Sequence, residues 1–392
     1  LNTIEAMVHD YGLDSDSHPG LLQNLVALLK GNATYECRLF ACRQLASIGT
    51  ADQTIDLIVL LGDPRTQDIG RYALESIPGE QVDQALIDAL EYSTGDTLLG
   101  LMTTLGHRGA AGAVSALEQR LASSHDRVVQ VATYALGCIA TEDAAEALNR
   151  ALQKVRGEAA GCIADAYLSC ADAMLEKGAD DQAAAVYKQV FESGLSPAVR
   201  AAALYGFART EDEQATGLVL EALSAAEKQL RNMAMRIVQE VPGEEATRTY
   251  ARQLKKLPPA GQAALLAALG NRGDDAAVEG VRKACKSRSD EVKAAAAVAL
   301  GQLGTSEDIS LLLDLATDSD EVVSRSGLAA LTIMEDEQAG KSMTAMLNEA
   351  SSEEQAALIK VLAARQYTEA QREILRVASE GETEARQAAF EA

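Results

Sequence analysis

The stretch SDEVKAAAAVALGQLGT, residues 289–305, decides the fold of this chain. Its five alanines favour an α-helix, because alanine has the highest intrinsic helix propensity. Ser289 and Asp290 suit a helix N-terminus, and Gly304 suits the residue that ends a helix. None of its side chains is an obvious catalytic group. The stretch is therefore interpreted as a building block and not as an active site.

The same pattern recurs along the chain. With Ser289 as position 1, an apolar residue stands at position 4, small residues stand at 7, 8 and 11, and a large apolar anchor, Leu300, stands at 12. Leu331 and Leu362 follow Leu300 at intervals of 31 residues. The ten anchors of this register are Leu45, Leu74, Leu105, Leu136, Phe207, Val238, Leu269, Leu300, Leu331 and Leu362. A repeat of this length predicts a helix pair that buries its apolar face only by stacking on its neighbours.

We therefore predict an all-α, right-handed superhelical solenoid of about eleven helix pairs, with a 31-residue period, over residues 1–392. Residues 1–155 form regular repeats in this interpretation, and so do residues 195–392, whose last repeat is incomplete. Between them, residues 156–194 form an irregular repeat, because two anchors there lie 71 residues apart. A long helix is expected at 156–178, where it should bend or offset the array.

Composition limits the function classes. The net charge is −23, and a protein that binds a phosphate backbone needs a basic surface. Nucleic acid is therefore not expected as a partner, although a local basic groove is compatible with an acidic chain. The chain contains no run of 18 apolar residues, so the sequence predicts no membrane span. The six cysteines form no Cys-x-x-Cys pair and are interpreted as buried thiols.

The repeat unit at 289–305 resembles the HEAT-like repeats first noted in phycobilisome lyases. Residues 34–209, including YECRLFACRQLASIGT and AYLSCADAMLEKGADDQAAAVY, resemble a family of exported bacterial HEAT-repeat proteins. In that family the array often precedes other domains, one of which is of the 3-keto-disaccharide hydrolase type. The resemblance implies an exported or periplasmic location and a link to sugar metabolism. It carries over no catalytic residue.

Enzymatic alternatives find little support in the residues. Deoxyhypusine hydroxylase-like repeat proteins hold iron with His-Glu pairs, and no histidine here is followed by glutamate. HEAT-like DNA glycosylases use a basic, aromatic-rich face, which the charge and the lack of Trp oppose. A bilin lyase activity stays open. DSDSH at 14–18 hints at a calcium loop, but Leu25 stands where the loop needs Glu. We expect a solvated turn there, and no cofactor or metal.

Position 10 of the repeat carries the candidate binding residues. It lies away from the core positions, because a helix turns every 3.6 residues. The candidates on this "position-10 ladder" are Arg43, Tyr72, Tyr134, Tyr205 and Arg236, residue types that are common in binding sites. The remaining ladder positions hold Thr103, Ala267, Val298, Ala329 and Lys360. Packing between helices is the simpler interpretation, and a ligand-facing concave surface is the functional hypothesis.

The sequence thus predicts a non-catalytic scaffold that binds a protein or an extended ligand on its concave face. The alternative is an accessory repeat region of an exported sugar-processing enzyme whose catalytic domain lies outside this chain. The expected partner is a protein, with a carbohydrate-related partner or fused domain as the second possibility. Catalysis by the array itself is the third hypothesis.

Overall fold

The structure is a computed structural model that describes residues 2–18, 20–210 and 214–392. All regular secondary structure in these ranges is helical, which confirms the all-α prediction. The helices form two compact units, Leu1–Thr210 and Glu211–Ala392, here called unit 1 and unit 2. This division lies outside the irregular segment 156–194, and the single continuous array stays a prediction.

Unit 1 contains the first thirteen α-helices of the described chain. They are α1 Asn2–Leu13, α2 Leu21–Ala27, α3 Tyr35–Ile48, α4 Thr54–Ile58, α5 Gln67–Ser76, α6 Glu80–Leu90, α7 Gly95–His107, α8 Val114–Arg120, α9 Asp126–Ile139, α10 Glu142–Lys154, α11 Glu158–Glu176, α12 Asp180–Phe191 and α13 Pro197–Phe207. The long helix expected near 156–178 is α11, and α12 packs against it.

Unit 2 contains the remaining α-helices. They are α14 Ala215–Leu223, α15 Lys228–Glu240, α16 Glu244–Gln253, α17 Pro259–Arg272, α18 Val278–Ala284, α19 Asp290–Leu303, α20 Ile309–Ala316, α21 Glu321–Ile333, α22 Ala339–Met346, α23 Ser352–Ala364, α24 Gln371–Glu380 and α25 Thr383–Glu391. Short 3-10 helices in both units are Ala51–Gln53, Val59–Gly62, Ala111–Ala113, Leu254–Lys256, Asp275–Ala277, Ser306–Asp308 and Thr368–Ala370.

The anchor-bearing helices form a row within each unit. In unit 1 the row is α3, α5, α7, α9 and α11, and each helix packs on the next one in the row. In unit 2 the row is α15, α17, α19, α21, α23 and α25. We call the members of both rows, together with α13, the inner helices. All ten predicted anchors have no exposed surface. Each buried leucine of this kind contributes about 2 kcal/mol of hydrophobic stabilisation.

Glycine and alanine set the spacing between inner helices. Gly106 follows the anchor of α7 and faces Ala135 of α9, where a Cβ on Gly106 would lie 2.7 Å from the Ala135 Cα. Gly301 of α19 faces Ala330 of α21 in the same way, also at 2.7 Å. The small residues noted in the sequence therefore bring two helix backbones into direct contact.

A buried arginine links successive helix pairs in unit 1. Arg108 follows α7 directly, and its side chain is only 6% exposed. Its guanidinium donates to the carbonyl oxygens of Leu74 and Ile77 at the end of α5. It also pairs with Asp83 of α6 at 2.5 Å. Arg108 thus satisfies carbonyl groups that a helix C-terminus leaves without an intrahelical donor.

Unit 2 repeats this arrangement twice, at the same offsets along the chain. Arg272 donates to the carbonyl oxygen of Val238 at 2.7 Å and also to that of Val241. Arg365 donates to the carbonyl oxygens of Leu331 and Met334, at 2.9 and 2.8 Å. In each case the arginine stands three residues after an anchor and reaches the helix that carries the preceding anchor.

The cysteine prediction needs a correction. Cys42, Cys170 and Cys285 are buried and Cys138 is half-buried, but Cys37 and Cys162 are exposed. Cys37 is the third residue of α3 and Cys162 is the fifth residue of α11, so both lie near the start of a helix. The helical pattern of the sequence therefore did not distinguish the buried cysteines from the exposed ones.

Candidate binding surface

The predicted ladder residues lie on the solvent-exposed face of the inner helices. Arg43, Tyr72 and Tyr134 are exposed, and they lie on α3, α5 and α9 of unit 1. Tyr72 is 54% exposed and Tyr134 is 51% exposed, which is high for large aromatic side chains. Tyr205 on α13 is half-buried, and Arg236 is exposed on α15 of unit 2.

Tyr134 is held by a side chain of the preceding inner helix, which is held in turn by a side chain of the helix before it. His107 at the end of α7 lies between Glu75 of α5 and Tyr134 of α9. Its Nδ1 is 2.9 Å from the Glu75 Oε1, and its Nε2 is 3.0 Å from the Tyr134 hydroxyl. The His107 and Tyr134 rings also meet edge to face, with centroids 5.9 Å apart. A chain of hydrogen bonds therefore joins α5, α7 and α9 on their solvent-exposed face.

The roles in this chain follow from the groups present. A carboxylate accepts hydrogen bonds, so the tautomer of His107 that fits Glu75 carries its hydrogen on Nδ1. The Nε2 of that tautomer accepts from the phenol. The pKa of Tyr134 is raised, first by its hydrogen bond with the Cys138 side chain and then by partial burial. Tyr134 therefore stays a neutral phenol, oriented by its neighbours.

This carboxylate–imidazole–hydroxyl order is also found in nucleophilic catalysis. An activated nucleophile, however, has a lowered pKa or a base that removes its proton at the working pH. The raised pKa of Tyr134 acts in the opposite direction. The arrangement suits a fixed aromatic contact better than a reacting group.

The other ladder residues have different surroundings. Arg236 pairs with Glu240 on its own helix at 2.7 Å. Arg43 forms no ion pair with any residue that the structure describes. No hydrogen bond joins Arg43, Tyr72 and Tyr134 to one another within the described ranges. Arg43, Tyr72 and Tyr134 thus lie at equivalent positions of three inner helices, but no hydrogen bond connects them.

Glu75 and His107 were not predicted as site residues. They lie 32 residues apart in the sequence, one residue more than the repeat, which puts them on successive inner helices. A comparison of polar residues between successive repeats would have found this pair. The position-10 ladder contains only one residue of each repeat, so it includes Tyr134 but not the residues that hold it.

In the described ranges, no group of three or more His, Cys, Asp or Glu could hold a metal ion. At the predicted turn, the exposed Asp14 accepts the backbone N–H of Asp16 at 3.1 Å. In the same ranges, no helix is both long enough and apolar enough to cross a membrane.

Comparison with known proteins supports the repeat class. Residues 248–332, which run from α16 to α21, match the family model described as HEAT repeats. The search of curated proteins gave no match.

Solved structures give a broader match. The karyopherin Kap121p bound to Nup53p is 13% identical with a TM-score of 0.51, and the match covers 100% of this chain and 52% of that chain. Kap121p bound to the extreme C-terminus of the phosphatase Cdc14p gives the same values. The present chain thus spans about half the length of these karyopherins. At this identity the similarity shows the fold alone, a solenoid of HEAT-like helix pairs.

Human deoxyhypusine hydroxylase also matches, with 20% identity over 73% of this chain and 96% of that chain. Its TM-score is 0.29, which is too low to support an argument about fold or activity. The four histidines of the present chain are followed by Asp10, Pro19, Arg108 and Asp126, so the His-Glu pair is missing.

Proposed function

We propose that this chain is a non-catalytic scaffold that binds a protein or an extended ligand on the solvent-exposed face of its inner helices. Tyr134 is the observation that carries the proposal. It is a half-exposed aromatic residue held in one orientation by His107, which Glu75 holds in turn. Such a side chain loses little conformational entropy on binding, because it is already ordered.

Tyr72 extends the same surface. Exposed tyrosines are effective contact residues, because they combine a large apolar ring with a polar hydroxyl group. Tyr72 and Tyr134 stand at the same position of two inner helices with α7 between them, so one extended partner could contact both. Arg43, Tyr205 and Arg236 complete the proposed ladder. We expect this face to be the concave one.

A protein is the partner that we favour. In the matched karyopherin structures the chain is bound to another protein, and the proposal extends this kind of ligand to the present chain. Tyrosine and arginine also suit a carbohydrate, so a sugar-containing partner is a competing result of the test and not a separate proposal.

The test compares two pairs of tyrosines in the full chain. The first variant combines Tyr72→Ala with Tyr134→Ala on the ladder. The control combines Tyr35→Ala with Tyr92→Ala, which are exposed tyrosines outside it, at 47% and 86% exposure. Each immobilised protein is incubated with an extract of its source cells, and bound proteins and glycans are quantified by mass spectrometry.

We expect the ladder variant to lose a specific partner that the unmodified chain and the control retain. Thermal unfolding of all three proteins shows whether the fold is intact. If the ladder variant keeps its partners, even with lowered stability, the ladder is a packing feature and the proposal is wrong. Capture of a glycan in place of a protein would overturn the choice of partner.

A further inference from the structure

A basic groove in unit 2 lies apart from the ladder. It is formed by α16, the 3-10 helix Leu254–Lys256 and α18, and its volume is about 980 Å³. Small and apolar residues line part of it, among them Ala251 and Gly280. A Cβ on Gly280 would lie 3.2 Å from the Cβ of Ala251, so glycine lets the two helices approach closely.

The charge of this segment is opposite to that of the whole chain. Residues 248–288 contain nine Lys and Arg against three Asp and Glu, a local charge of +6 in a chain of −23. Of these cations, five line the groove: Arg248, Arg252, Lys255, Lys283 and Lys286. Dissolved salt screens charges that lie farther from a ligand than about one Debye length, which is roughly 8 Å at physiological salt. A ligand in the groove therefore experiences the local positive charge.

The ion pairs of the groove leave cations available. Lys283 pairs with Glu279 at 2.9 Å, and both side chains are more than half exposed. Neither Lys255 nor Lys286 forms an ion pair with any residue in the described part of the chain. Glu279 is also the only acidic residue of the groove lining.

The two arginines of the groove are paired as well. Arg248 pairs with Glu244 at 2.7 Å, and Arg252 pairs with Glu245 at 3.3 Å. The positive charge that ion pairs in the described part of the chain do not neutralise is therefore that of the two exposed lysines, Lys255 and Lys286.

We propose that this groove binds a carboxylate-rich peptide segment of a partner protein. Its exposed lysines would pair with Glu or Asp side chains, and the half-buried Ala251 and Ala284 would contact small apolar residues between them. A nucleic acid is the less suitable ligand. The groove lining has no aromatic residue on which a base could stack, and the acidic remainder of the chain repels a long polyanion.

The test uses the full chain and a defined probe. The probe is a short fluorescein-labelled peptide in which glutamate alternates with alanine, and its binding is followed by fluorescence anisotropy. The test variant combines Lys255→Glu with Lys286→Glu. The control combines Lys228→Glu with Lys341→Glu, exposed lysines of unit 2 that lie outside the groove. Both variants change the net charge equally.

We expect the test variant to lose about tenfold or more in affinity, because each reversal replaces an attraction with a repulsion. The control should bind like the unmodified chain, and added salt should weaken binding. A peptide with Gln in place of every Glu should not bind.

Three results would overturn the proposal: no binding of the acidic peptide, equal loss in both variants, or equal binding of the Gln peptide. Tighter binding of a single-stranded DNA of the same charge would assign the groove to nucleic acid instead. None of these outcomes depends on Tyr72 or Tyr134, so the scaffold proposal is tested separately.

Discussion

Arg108 shows at the scale of one residue how a charged side chain stabilises a repeat protein. Its guanidinium is almost completely buried, yet it has an acidic partner in Asp83 and several carbonyl acceptors at the end of α5. Burial of a charge is costly unless it is paired and hydrogen-bonded. Removal of one partner is more costly than the pair is favourable, because the remaining groups lose their donors.

We therefore predict that Arg108→Met lowers the free energy of unfolding by about 3 kcal/mol. Arg108→Lys should give an intermediate loss, because an ammonium group cannot reproduce the planar set of donors. Urea unfolding followed by circular dichroism measures both changes. Arg127→Met is the control. Arg127 is 75% exposed and pairs with Asp96 at 3.6 Å, so its loss should change stability by less than about 0.5 kcal/mol. Equal effects of Arg108→Met and Arg127→Met would contradict the prediction.

At the scale of helices, glycine at the contact between α7 and α9 works against local helix propensity. Alanine is more favourable than glycine inside a helix by about 1 kcal/mol. At Gly106, however, an added methyl group would overlap the backbone of Ala135. Overpacking of this kind typically costs about 1–3 kcal/mol.

Gly106→Ala should therefore destabilise unit 1 in urea unfolding. Gly161→Ala should have the opposite effect. Gly161 lies inside α11, and apart from its chain neighbours and the backbone of its own helix no atom lies within 4 Å of its added Cβ. We expect Gly161→Ala to stabilise the protein by about 0.5–1 kcal/mol. If both substitutions stabilised the protein, the close approach of α7 and α9 would not constrain the fold.

The helices of unit 2 differ in how well they are covered. α19 contacts α17, α18, α20 and α21 and buries residues on several sides, including Val292 and Leu300. α25 contacts α23 and α24, buries Ala385 and Ala388, and leaves Phe390 74% exposed. We predict that amide hydrogens of residues 383–391 exchange faster than those of residues 290–303, because local opening there exposes less apolar surface. Equal protection in hydrogen-exchange mass spectrometry would contradict this.

The sequence was sufficient for the features that belong to one repeat. Leu45, Leu300 and the other anchors are all buried, and Ala135 and Ala330, the small residues before two anchors, lie at helix contacts as the pattern suggested. It was insufficient for contacts between repeats. Arg108 reaches residues 31 and 34 positions earlier, and His107 joins two neighbouring helices. Such contacts depend on how successive repeats superimpose.

At the scale of the whole molecule, the two units share one pH-dependent property. Burial raises the pKa of Cys42 and of Cys285 to about 12 and that of Cys170 to about 11, from 9.0 for an exposed thiol. Two of these thiols lie in unit 1 and one lies in unit 2. Each is protonated to a higher pH in the folded chain than in the unfolded chain.

The stabilisation from these thiols is therefore fully present below pH 9 and is lost as the pH rises toward the folded pKa values. Each thiol should lower the free energy of unfolding by about 1.4 kcal/mol per pH unit in this window. Urea unfolding at several pH values measures the slope. Replacement of Cys42, Cys170 and Cys285 by alanine should flatten it, because the buried titrating groups are then gone. Replacement of the exposed Cys37 and Cys162 by alanine should leave the slope unchanged. If it flattened the slope as much, the pH dependence would arise from surface charge and not from buried thiols.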